Sequence, residues 1–170
     1  MDGWFVVNAR EAQWRHRPGR GHSLPLTGWD DDERKARFPQ LGMQLLRLEP
    51  GEPVGMYHWE ADQEGFLVLS GEALLLIEGE ERPLRQWDFV HCPPGTKHIV
   101  IGAGDGPCVL LAAGSRQHLG EDCNGGGYVV DETALRHGAG VEEATSDPAV
   151  AYARFPDPVP ARYQDGWLPG

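Results

Sequence analysis

His58, Glu60 and Glu64 stand within seven residues of one another in the stretch YHWEADQEGFLVLSG, and each side chain can bind a metal ion. On an extended strand alternate side chains share a face, so His58 and Glu60 point one way while Tyr57 and Trp59 point the other. Glu64 opens the next apolar run after a short turn and can fold back beside the first pair. A fourth group, His98, follows the rigid turn of Pro93, Pro94 and Gly95 and opens another strand. Two imidazoles and two carboxylates can therefore converge around one divalent cation. Their hard oxygen donors favour manganese, iron(II) or zinc over copper(I). If Glu60 swings away, His58, Glu64 and His98 leave a set of two histidines and one carboxylate, with positions open for substrate and oxygen. Without a cation, a hydrogen-bonded His–Glu network is the competing reading, because two close carboxylates repel.

Strands must position these groups. LGMQLLRLEPG reads as a strand and a turn, FLVLSGEALLLI as two strands joined in a tight hairpin at Ser70-Gly71-Glu72, and GEERPLRQWDFVHC as two more. KHIVIGAGDGPCVLLAAG reads as a final pair joined by a glycine-rich hairpin turn. Seven or eight short strands at this spacing predict an all-β sandwich or barrel. FLVL and ALLLI are apolar at consecutive positions, so both of their faces must be covered. Residues 1–37 read as an irregular arm, with a short strand at WFVVNA and a helical turn at DDDERKAR. After residue 115 the β pattern gives way to two short helices, one capped by Asp131 and ended by Gly138, the other capped by Asp147 with Pro148 at its first position. The Pro-rich end is expected to be extended, over a neighbour or mobile.

The spacing resembles that of the cupin superfamily. Its first motif is glycine, five residues, histidine, one, histidine, three or four, glutamate, six, glycine. His58, Glu64 and Gly71 match it; Glu60 stands where the second histidine is expected, and Gly51 lies one residue too far upstream. The second motif is matched at Pro93, Gly95 and His98, with Trp87 in place of its first glycine and Gly102 in place of its asparagine. The resemblance covers about residues 40–114. It implies a double-stranded β-helix, or jelly-roll barrel, over residues 38–115, between the N-terminal arm and a C-terminal extension over 116–170. It also implies a metal inside the barrel and, commonly, a homodimer. The implied function is a metal-dependent enzyme on a small organic molecule, of dioxygenase or isomerase type; a non-enzymatic binding module is the alternative.

Beyond the four ligands, Gln63, Phe66, His91 and Val100 are candidates for a substrate pocket. His91 and Cys92 are adjacent on a strand, so only one of them can face the cavity. Lys97 should point away from the metal. His16, His22, His118 and His137 read as solvated, and Leu74 and Leu76 as core.

The net charge of −11 argues against nucleic acid and against an anionic membrane surface as partners. Three cysteines, Cys92, Cys108 and Cys123, are too few and odd in number for a secreted disulfide scaffold. With no signal-peptide pattern and no apolar run long enough to span a bilayer, the expectation is a cytoplasmic protein with a small-molecule ligand.

Overall fold

A computed structural model of the protein describes residues 4–27, 38, 40–118 and 125–170. Helical character at DDDERKAR and the state of Cys123 lie outside the described residues. Among those described, twelve strands and two short helices follow one another: β1 (Gln13–His16), β2 (His22–Pro25), β3 (Leu41–Leu48), β4 (His58–Glu60), β5 (Glu64–Ser70), β6 (Glu72–Ile77), β7 (Glu80–Arg85), β8 (Phe89–Cys92), β9 (His98–Ala103), β10 (Cys108–Ser115), β11 (Gly126–Tyr128), α1 (Glu132–Arg136), α2 (Pro148–Ala151) and β12 (Val159–Arg162). They form two antiparallel sheets, ordered β12-β1-β2-β3-β10-β5-β8 and β11-β4-β9-β6-β7. The architecture is all-β, the jelly roll that the sequence predicts.

The connections differ from the sequence reading. Ser70-Gly71-Glu72 is not a hairpin: β5 pairs with β10 and β8, whereas β6 pairs with β7 and β9. The chain crosses from one sheet to the other there. Gly71 makes the corner with φ 75°, and a Cβ on it would sit 2.5 Å from the Pro107 carbonyl oxygen. The glycine-rich GAGDG segment crosses back in the same way, between β9 and β10. A true hairpin joins β6 and β7.

Alternation along the central strands explains their apolar runs. Phe66, Val68, Leu75, Val100 and Leu110 point into the barrel and are fully buried there. Leu76, Ile99 and Ile101 point outward from the five-stranded sheet and pack with Tyr57, Ala134 and Ala139 under α1. Each such aliphatic side chain contributes roughly 1.5–3 kcal/mol of burial. The outer layer is thus supplied by the chain's own C-terminal extension.

Both helix caps form as expected. The Asp131 carboxylate accepts from the Ala134 N–H and the Asp147 carboxylate from the Ala149 N–H, each at 2.8 Å. The arm is less irregular than its sequence suggests, because β1 and β2 extend the seven-stranded sheet beyond β3. WFVVNA is not a strand: Trp4 and Val6 are exposed, and Asn8 starts a turn by accepting from the Glu11 and Ala12 N–H groups. The Pro-rich end neither leaves the domain nor hangs free. Strand β12 pairs with β1, and Trp167 packs edge-on against Trp14 with ring centroids 5.5 Å apart. No helix among the described residues is long and apolar enough to cross a membrane.

Candidate metal centre

Neighbouring strands bring the ligand candidates together. His58 on β4 lies opposite His98 on β9, and their ring centroids are 5.0 Å apart. Glu64 starts β5 in the facing sheet. His58, Glu64 and His98 each offer a ligand atom, and these atoms lie within 4.8 Å of one another. His98 Nε2 is 3.0 Å from Glu64 Oε2, and His58 Nε2 is 3.5 Å from the same oxygen. Glu60 stands outside this set, with Oε1 3.5 Å from His58 Nε2.

Both imidazoles are fixed by backbone carbonyls. His58 Nδ1 lies 2.8 Å from the Met56 oxygen and His98 Nδ1 3.0 Å from the Thr96 oxygen. A carbonyl only accepts, so each Nδ1 carries the hydrogen and each Nε2 turns its lone pair toward Glu64. Such a partner is what orients a metal-binding histidine.

The fit to a cation rests on what these atoms lack. Glu64 Oε2 and His98 Nε2 are buried and make no hydrogen bond; their 3.0 Å approach is not aligned as one. Two buried acceptors aimed at one point need a positive charge between them. A proton or a divalent ion can meet that need. Burial opposes ionisation of Glu64, but the two imidazoles beside it hold its carboxyl down at about 2. Burial likewise opposes the imidazolium of His98, yet Cys92 and Glu64 raise it to about 9. His58 is also buried and is raised by Glu60 and Glu64.

A cavity of about 330 Å³ opens over the cluster, lined among others by His58, Glu60, Glu64, Gln44, Tyr128 and Tyr152. A smaller one of about 170 Å³ reaches Glu60 and Glu64 from the side of Asp62, Arg116 and His118. None of the four residues predicted for a substrate pocket lines either. Gln63 is exposed on the turn before β5. His91 is exposed because Cys92, paired with Glu64 in register, takes the inward position. Val100 is fully buried in the barrel core. Phe66 is buried with its ring edge against His98, 5.6 Å between centroids.

Beside barrel residues such as Gln44, Leu46 and Val54, part of the wall comes from the arm, with Arg15, Arg17 and Arg20, and from the C-terminal extension, with Tyr128 and Tyr152. Their separation from the motifs along the chain hides them from any local pattern. Lys97 does face away, toward Glu78. The other histidines are less solvated than expected: His22 stacks on His16 at 4.4 Å, His118 meets Asp62 at 2.9 Å and His137 meets Glu81 at 3.3 Å.

Residues 44–114 match the cupin domain family. Over these residues the chain is a cupin domain, in keeping with its jelly-roll barrel, and the His/Glu cluster lies within it. A cupin protein from Bacteroides fragilis superposes with a TM-score of 0.52 at 20% identity, covering 72% of this chain and 91% of its own. A sugar phosphate isomerase from Silicibacter pomeroyi, also of the cupin superfamily, gives 0.48 at 27% identity, covering 56% and 59%. A mannose-1-phosphate guanylyltransferase from Salmonella montevideo is 28% identical over 80 residues, which are 47% of this chain and 17% of that enzyme. The chain therefore spans about a sixth of the length of that curated relative.

Proposed function

We propose that the protein is a metal-dependent enzyme acting on a small organic molecule held in the cavity over His58, Glu64 and His98. The pair of buried, hydrogen-bond-free acceptors, Glu64 Oε2 and His98 Nε2, carries this reading. His58, Glu64 and His98 would hold a divalent ion, which when bound would supply Lewis-acid chemistry of use to either an isomerase or a dioxygenase.

The surrounding residues have separate tasks. The backbone carbonyls of Met56 and Thr96 keep both Nε2 atoms aimed inward. Glu64 balances the charge. Glu60, outside the tight cluster yet in the cavity wall, is placed to take a proton from a bound molecule. Burial, and next the neighbouring Tyr152, raise the Tyr128 pKa, so its phenol keeps its proton and stays a hydrogen-bond donor. Phe66 and the barrel core close the floor against water.

Turnover of a panel of small hydroxy and oxo compounds, with manganese, iron(II) or zinc restored to chelator-treated protein, is the test. Metal-dependent turnover that disappears in His58→Ala supports the enzyme. Metal uptake and ligand binding without turnover of any compound would leave a binding module instead.

A further inference from the structure

The wall of the larger cavity carries positive charge that the metal cluster does not use. Arg15, Arg17 and Arg20 all line it, in a protein whose net charge is −11. Arg17 and Arg20 stand on the turn between β1 and β2, which the Arg17 N–H closes onto the Gly21 carbonyl. Arg20 is half-buried. Its guanidinium lies 4.1 Å from the centre of the Tyr152 ring, and Nη2 donates to the Val54 carbonyl at 2.6 Å. Its Nε is buried without a partner. Neither Arg17 nor Arg20 has a carboxylate within ion-pair distance among the described residues, although Arg47, Arg82 and Lys97 all do. Burial lowers the Arg20 pKa, and the nearby Arg17 charge acts in the same direction. A half-buried guanidinium beside a second cation, with no anion supplied by the described residues, is costly unless an anion reaches it.

We propose that Arg17 and Arg20 bind an oxyanion, the carboxylate or phosphate of a small molecule, and so point that molecule's remaining oxygens at the floor of His58, Glu60 and Glu64. The pointing rests on the metal reading above; the oxyanion site stands on the arginines. Guanidinium groups match such anions through paired N–H donors. The Tyr152 face holds Arg20 in place, and Tyr128 lines the same cavity. A neutral sugar or hydrocarbon would leave the two cations uncompensated. The substrate class is therefore a small carboxylic acid or phosphate ester bearing further oxygen atoms.

The test uses chelator-treated, metal-free protein at low ionic strength, where screening is weak. Inorganic phosphate and glycolate are titrated separately by calorimetry. At least one should bind, and Arg17→Gln should weaken it about tenfold, the size of one charge-assisted hydrogen bond. Among the described residues the Arg17 side chain has no hydrogen-bond or ion-pair partner to lose, so this variant should fold. Arg20→Gln should weaken binding at least as much, and Arg85→Gln, on β7, should leave it unchanged. Preference for one probe assigns phosphate or carboxylate. Binding of neither probe, or equal binding by the wild type and Arg17→Gln, overturns the proposal. A metal titration of the same sample keeps the two readings apart. Anion binding without metal binding removes the metal centre alone, and metal binding without anion binding removes the oxyanion site alone.

Discussion

The molecule holds two cross-strand histidine pairs that differ in electrostatics. His16 lies opposite His22 across β1 and β2, as His58 lies opposite His98 across β4 and β9. The first pair stacks nearly parallel, 15° between planes, with His22 also against Trp167 at 4.3 Å. Burial, the neighbouring His16 and Arg47 push His22 down to about 4. The second pair shares a buried carboxylate, and its imidazoles are raised. The first pair thus makes an aromatic stack in which burial disfavours charge on His22. The Glu64 carboxylate makes the second pairing one that favours positive charge, whether a proton or the proposed metal ion.

Removing that carboxylate should have the largest effect. Glu64→Ala is expected to abolish metal uptake and to destabilise the metal-free protein by about 3 kcal/mol, because it leaves buried imidazolium charge uncompensated. Glu49→Ala, which removes the carboxylate nearest in effect to His22, should stay within about 0.5 kcal/mol. Urea unfolding in chelator reads both; equal losses would erase the distinction between the pairs.

Next in size are the histidines themselves. His98→Ala should weaken manganese or zinc binding by more than the roughly 100-fold that loss of an outer hydrogen-bond partner can cost. His22→Ala should leave the affinity within about twofold, a margin far inside that 100-fold loss. Calorimetric titration with each metal checks the contrast. Glu60→Gln should fall between them, at about tenfold, the low end of the outer-partner range, since Glu60 approaches only His58. A loss as large as that of His98→Ala would make Glu60 a full ligand.

The smallest effects are in pH dependence, and they have opposite signs. In the unfolded chain both histidines titrate near 6.5. His98, raised to about 9, stabilises the metal-free protein fully below 6.5, and that contribution is lost as pH rises toward 9. His22, lowered to about 4, contributes fully above 6.5, and loses it as pH falls toward 4. His98→Gln should therefore flatten the alkaline limb of the melting temperature, and His22→Phe the acid limb. Metal affinity should rise across 6.5 to 9, because the ion displaces protons.

The first pair also marks where local sequence stops informing. His58, Glu64 and His98 were legible because a two-residue alternation and a Pro-Pro-Gly turn determine their directions within a few residues. The apolar runs of β5, β6, β9 and β10 were legible for the same reason. Which strand pairs with which was not: Gly71 permits a hairpin and a sheet-crossing corner alike, and the distant partners β10 and β9 decide between them. Trp87 shows a similar gap. It stands where the second cupin motif has glycine and still takes φ 76°, a left-handed backbone that its side chain disfavours. His22 looked solvated because the Trp167 ring that covers it lies far along the chain. The arginine wall was hidden likewise, since Arg20 meets Tyr152 across most of the sequence.

The most direct test is an anomalous difference map from crystals grown with manganese. One peak at about 2.0–2.2 Å from His58 Nε2, His98 Nε2 and a Glu64 oxygen is expected, at ordinary ligand distances for such donors. A map with no peak among these three side chains, or with the ion held elsewhere, would contradict the metal centre.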